Sequence, residues 1–208
     1  MILISVGYRS TMRCEDIHAS LCFYFVTVGI SWFLTDAIKI YAGQLRPNFY
    51  KMCEFDSDTR QCESDNKHLL RESRRSFPSG HASLAFSSMT ALSLYFLGKV
   101  GIHCAIHLKP ITLTMRLLYL ASFLPILLAF FISASRAHDF WHHPADIVAG
   151  STIGIGCAFI AHGMWYPSVY SELAGCPLNS IHSLTSSSNE SSSLLLRAVD
   201  EEKDEDFV

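Results

Sequence analysis

Apolar residues in this chain gather into long runs separated by short polar segments. A run of about 20 predominantly apolar residues crosses a bilayer as one helix, and four runs approach that length. The first covers about 19–38, with Asp36 as its only charge. The second covers 78–97 and is short and serine-rich, the composition of a helix that faces other helices as much as lipid. The third covers 113–133, with Arg116 near its start and Pro125 placed to kink it, because proline removes one backbone hydrogen bond and clashes with the preceding turn. The fourth covers 145–165, where the four-residue spacing of Gly150 and Gly154 lets another backbone approach closely. The pattern predicts an all-α polytopic transmembrane bundle of four spans.

Three segments flank or interrupt that bundle. Residues 1–18 are mixed and read as an N-terminal cytosolic segment ahead of a membrane domain over 19–166. Residues 39–77 form a polar loop. From 167 to 208 serine and acid dominate, and so little apolar surface cannot offset chain entropy, which predicts a disordered cytosolic tail. Four crossings place both termini on one side. Arg9, Arg13, Lys99, Lys109 and Arg116 assign that side to the cytosol. The 39–77 loop then lies outside although it is itself rich in cations, because several of them are candidates to bind a substrate and six acids dilute the rest. An even number of crossings sets all the polar clusters between the spans on this same outer face.

Composition adds less. Half of the 208 residues are hydrophobic and 17% are charged, and the net charge of −3 averages a cation-rich middle with an acidic tail. The seven cysteines show no CxxC spacing, which argues against a zinc ribbon or a thioredoxin-type motif. The N-terminus shows no pattern of a cleavable signal peptide.

Three polar clusters carry the chemistry: Lys39 with Arg46-Pro47, then Pro78-Ser79-Gly80-His81, then Ser135-Arg136 with His142 and Asp146. Charge beside a membrane span costs roughly 2.5–3.5 kcal/mol per residue at mid-bilayer and marks function. Arg46 and Arg136 can grip a phosphate through paired N–H donors, with Lys39 adding a compact charge. Ser79 and Gly80 open a helix whose free N–H groups suit an anion. Neutral His142 can attack phosphorus if its other ring nitrogen is held, and Asp146, four residues on, is placed to hold it. His81 can protonate the leaving alkoxide. His143 is the rival for His142. His138, His142 and His143 with Asp139 and Asp146 allow a metal alternative, against which stands the repulsion of a divalent ion by the cations. His103 and His107 are also four apart, without other ligands nearby.

Lys39-x6-Arg46-Pro47, Pro78-Ser79-Gly80-His81 and Ser135-Arg136-x5-His142-x3-Asp146 resemble the three signatures of the type 2 phosphatidic acid phosphatases. The texture around them is similar to the animal lipid phosphate phosphatase subgroup, over about residues 20–165. The resemblance implies a metal-independent phosphatase without cofactor that works through a phosphohistidine. His142 would be the nucleophile, His81 the general acid and Asp146 the orienting partner, with Lys39, Arg46, Ser79, Gly80 and Arg136 holding the phosphate. Implied substrates are phosphatidate, lysophosphatidate, sphingosine 1-phosphate and ceramide 1-phosphate, met on the extracellular or lumenal face of the plasma membrane or an endomembrane. That subgroup has six spans, so four here imply that two N-terminal helices are lacking. The alternative is a truncated, non-catalytic form that binds lipid phosphates or full-length copies.

Three secondary expectations remain. Cys53 and Cys62 flank part of the outer loop, where an oxidising compartment suits a disulfide. Glu190 with Leu194 and Leu195 resembles an acidic dileucine signal for a sorting adaptor. Asn189-Glu190-Ser191 fits a glycosylation sequon, unused in the cytosol. The sequence also leaves room for a homo-oligomer.

Overall fold

The computed structural model describes residues 2–101, 112–183 and 185–186, with side chains described from residue 15 onward. His103, His107, Asn189, Glu190, Leu194, Leu195 and the acidic tail lie outside the described residues. The chain runs α1 (Ile2–Ala42), α2 (Phe49–Met52), β1 (Phe55–Asp56), β2 (Gln61–Cys62), α3 (Lys67–Glu72), α4 (Gly80–Val100), α5 (Leu113–Ala121), α6 (Leu124–His138) and α7 (Pro144–Trp165).

Three stretches are long and apolar enough to cross a membrane: Glu15–Ala42 within α1, Leu113–His138 across α5 and α6, and Pro144–Trp165. The fourth expected span is α4. Its 21 residues match α7 in length, about 31 Å at 1.5 Å per residue. Its serines lower its hydropathy because they face protein: Ser83, Ser87, Thr90 and Ser93 are buried. α4 packs against α1, α6 and α7 and is the centre of the bundle.

Local sequence explains the boundaries. Ser79 caps α4, its hydroxyl accepting from Ala82 N–H, and Gly101 closes that helix in the left-handed conformation at φ 58°. Thr112 caps α5 in the same way. The third span breaks at Ser122–Phe123, just before Pro125 in the first turn of α6, where a missing N–H costs nothing. α7 crosses α4 at very short range. A Cβ on Gly150 would sit 2.4 Å from the Ser79 carbonyl oxygen, and one on Gly154 would sit 2.4 Å from that of Ser83. Below this crossing Phe23, Ala91, Leu94, Ala158, Ala161 and Tyr166 form the core that joins α1, α4 and α7.

The loop between α1 and α4 holds more structure than an all-α reading anticipates. β1 and β2 pair antiparallel, and Cys53 and Cys62 are disulfide-bonded across that hairpin, with Cα atoms 5.1 Å apart.

The tail also differs from its expectation of disorder from 167. Residues 167–183 fold into turns and a short helical stretch against the far end of the bundle. Lys99 Nζ donates to Asp16 Oδ1 at 2.6 Å and to the Gly175 carbonyl at 2.7 Å. Tyr95 and Tyr166 hydroxyls donate to the same Asp16 carboxylate. Ser180 donates to Glu15. Gly175, at φ +80°, lies so close to Gly98 that a Cβ would be 2.5 Å from its carbonyl oxygen. Composition missed this docking because glycine contacts and a partly exposed ion pair, rather than an apolar run, make it.

Candidate active site

The end of the bundle opposite Lys99 gathers all three polar clusters. α1 ends there with Lys39, α4 begins there with Gly80 and His81, α6 ends there with Arg136, and α7 begins there with Asp146. A cavity of about 250 Å³ opens between them, lined by Lys39, Arg46, Gly80, His81 and His142, with Trp32 on the side of α1.

Each cation is placed by a different device. Lys39 extends over the start of α4, so that a Cβ on Gly80 would lie 3.1 Å from its Nζ. Glycine leaves the ammonium group room close to the helix N-terminus. Arg46 is buried, with Nε donating to the Glu72 carbonyl at 2.8 Å and Nη2 paired to the Glu72 carboxylate at 3.4 Å. Trp141 lies 5.1 Å from its guanidinium carbon, a cation–π contact that holds the planar group flat. The loop is fixed as well: Arg46 N–H donates to Ser73 O, and Ser76 N–H donates to Gln44 O.

The two histidines face each other with ring centroids 6.5 Å apart. His81 is exposed toward the cavity and His142 is buried. His143, the sequence rival, has a side chain 42% exposed and does not line the cavity. Asp146 is fully buried. Its Oδ2 accepts from the Ser76 hydroxyl and from His143 N–H at 3.0 Å. His142 Nδ1 lies 3.6 Å from the same oxygen, beyond hydrogen-bond range of about 2.7–3.2 Å. The two groups face each other without a closed hydrogen bond. Burial and the nearby Arg46 charge push His142 below the ordinary histidine pKa, and Asp146 opposes them.

Two residues expected at the phosphate do not line this cavity. The Ser79 hydroxyl caps its own helix, and its N–H donates to the Asp146 carbonyl at 2.9 Å. Ser79 joins α4 to α7 rather than lining the cavity. Arg136 donates to Asp139 at 3.1 Å and to the Ser135 hydroxyl at 3.2 Å and does not line the cavity. Among the described residues no three His, Cys, Asp or Glu side chains converge as a metal-ligand set.

Sequence reasoning overlooked Ser76, Glu72 and Trp141. Ser76 meets Asp146 from 70 positions away, and no local pattern announces such a pairing. Glu72 reads as one more loop acid until Arg46 is seen buried against it.

The comparisons with known proteins fit this geometry. The chain is 32% identical over 180 residues to "Probable lipid phosphate phosphatase 4" of Arabidopsis thaliana, covering 83% of this chain and 56% of the relative. It is 33% identical over 180 residues to "Lipid phosphate phosphatase 1" of the same plant, covering 82% of this chain and 52% of the relative. It is 30% identical over 176 residues to "Diacylglycerol pyrophosphate phosphatase 1" of Saccharomyces cerevisiae, covering 77% of this chain and 58% of the relative. The chain thus spans little more than half the length of these relatives. No solved structure matches it. The model of the PAP2 superfamily matches residues 20–170, a stretch that contains every residue of the cavity described above, and the chain belongs to that superfamily.

Proposed function

We propose that the chain is a lipid phosphate phosphatase that hydrolyses phosphate monoesters of membrane lipids through a phosphohistidine. The carrying observation is a pair of histidines facing each other across a cavity lined by Lys39 and Arg46, with the carboxylates of Asp36 and Glu72 also in its wall. Oppositely placed nucleophile and proton donor are what in-line displacement at phosphorus requires.

The phosphate enters between Lys39, Arg46 and the N-terminus of α4. His142 Nδ1 is turned to Asp146, and Nε2 is the nitrogen that attacks. The P–N bond forms as the ester P–O bond breaks, and His81 delivers a proton to the departing lipid alkoxide. Asp146 stabilises the positive charge that develops on His142, and their 3.6 Å separation closes as that charge appears. A water, deprotonated by the now neutral His81, then attacks phosphorus, releases inorganic phosphate and restores His142. The low proton affinity of His142 keeps it neutral and nucleophilic.

Phosphatidate, lysophosphatidate, sphingosine 1-phosphate and ceramide 1-phosphate are the substrate class, reached from the extracellular or lumenal face. The disulfide in the same loop as Arg46 supports an oxidising compartment on that face. The test is phosphate release from phosphatidate in detergent by the unaltered chain and by His81→Ala. Slow release with accumulation of acid-labile phosphoprotein in His81→Ala supports the assignment of roles. Full turnover in that variant overturns it.

A further inference from the structure

A second cavity lies on the same two helices as the first. The site cavity takes Lys39 and Trp32 from α1 and His81 and Leu84 from α4. The second, of about 300 Å³, takes Tyr24 and Ser20 from α1 and Ser88, Leu92 and Tyr95 from α4. Along α1 the order is 39, 32, 24, 20, and along α4 it is 81, 84, 88, 92, 95. Steps of three, four, seven or eight residues keep to one face of a helix. The two cavities therefore lie in line along the α1–α4 seam, or furrow.

The floor of this furrow is sealed. Thr35 donates to the Ser83 hydroxyl at 2.8 Å, Ser31 donates to the Ser83 carbonyl at 3.4 Å, and Thr27 is buried beside them. Its walls are apolar and open outward: Trp32 is 60% exposed, Leu84 38%, Tyr24 42% and Leu92 39%. At 1.5 Å per residue, Ser88 lies about 10 Å and Tyr95 about 21 Å from His81 along α4. These depths bracket the middle of a hydrocarbon core about 30 Å thick. The lower end is closed by Tyr95, whose hydroxyl is tied to Asp16 at 3.0 Å.

We propose that this furrow holds one hydrocarbon chain of the substrate, and that the second cavity receives the end of that chain. The inference rests on the phosphatase reading above. Alignment with the phosphate cavity along the same two helices selects the occupant. A lipid whose phosphate lies between Lys39 and His81 has its chain at the top of the furrow, pointing toward Tyr95. Trp32 and Leu84 flank the first methylenes, and Tyr24, Ser88 and Leu92 surround the last. Catalytic efficiency then rises with chain length until the chain reaches Tyr95.

The test compares kcat/KM for monoacylglycerol phosphates with six-carbon and sixteen-carbon chains, in one detergent. Ser88→Trp and Ser20→Phe each fill the lower cavity, and Leu128→Trp on the exposed face of α6 is the control. The ratio of long-chain to short-chain efficiency falls tenfold or more in the furrow variants and holds in the control. A ratio unmoved in both furrow variants, with both substrates turned over, overturns the proposal and leaves the phosphatase reading standing. A second readout does not need turnover. A sixteen-carbon alkyl phosphate with a terminal diazirine labels residues 88–95 or 20–24 on irradiation, in the unaltered chain and in His142→Ala alike. Labelling confined to α5 and α6 overturns the proposal. Labelling in the furrow with no turnover of either lipid phosphate by the unaltered chain supports the chain site and counts against the phosphatase reading.

Discussion

Oδ2 of Asp146 is the most crowded atom of the site: it accepts from Ser76 and from His143 N–H, and both His142 and His143 turn Nδ1 toward it. Ser76 holds that carboxylate where His142 can use it. A hydrogen bond to a charged group is worth about 1.5–3 kcal/mol, so Ser76→Ala lowers kcat by roughly tenfold to a hundredfold and changes KM far less. Steady-state kinetics checks this, and an unchanged kcat contradicts it. His142 gives a second prediction. Burial and Arg46 hold its pKa down, so protonation silences it only in more acid solution than an ordinary histidine requires. The acid limb of kcat/KM therefore falls below about pH 6.5. Arg46→Gln removes one of the depressing charges and moves the limb of the residual activity toward neutral. A limb at or above pH 6.5 in the unaltered chain contradicts this account. The cations and histidines were legible in the sequence because each stands out beside an apolar run. Ser76 was not, since serine is common in that stretch and its partner lies far along the chain.

Among the elements, the crossing of α4 and α7 sets the site. Gly150 meets the Ser79 carbonyl and Gly154 the Ser83 carbonyl, so these glycines set how near the histidine-bearing loop of α7 comes to the start of α4. Gly154→Ala puts a Cβ against backbone that cannot turn aside, and overpacking costs about 1–3 kcal/mol. Gly156, two residues on, has nothing within 4 Å of a Cβ. There alanine gains up to about 1 kcal/mol of helix propensity. Thermal unfolding in detergent should show Gly154→Ala melting lower than the unaltered chain and Gly156→Ala melting level or higher. The glycine spacing predicted close packing, but its partner helix could not be read from sequence. Nor could the cap that Ser79 makes or the pairing of Arg136 with Asp139, since such contacts use the same residue types as a phosphate ligand. The break at Ser122 was foreshadowed by Pro125, and only its exact place required coordinates.

At the scale of the whole molecule the bundle has two polar ends with different tasks. One holds the cavity. The other ties residues 167–183 to the helices through Lys99, Asp16 and the Gly98–Gly175 contact. Lys99→Met removes the ion pair and the donor to Gly175, and limited proteolysis should then cut within 167–183 faster than in the unaltered chain. Equal cleavage rates would show that the remaining contacts suffice. Hydropathy revealed three of the helices outright, while α4 was the hardest to place on composition, because the central helix of a bundle trades lipid-facing leucine for protein-facing serine.

The central claim is that His142 is the nucleophile of a metal-independent lipid phosphate phosphatase. The most direct measurement is release of inorganic phosphate from phosphatidate by the purified chain in detergent with excess chelator, alongside His142→Ala. The account predicts sustained release with chelator present and a loss of at least a thousandfold in the variant. Release abolished by chelator, or retained in His142→Ala, would contradict it.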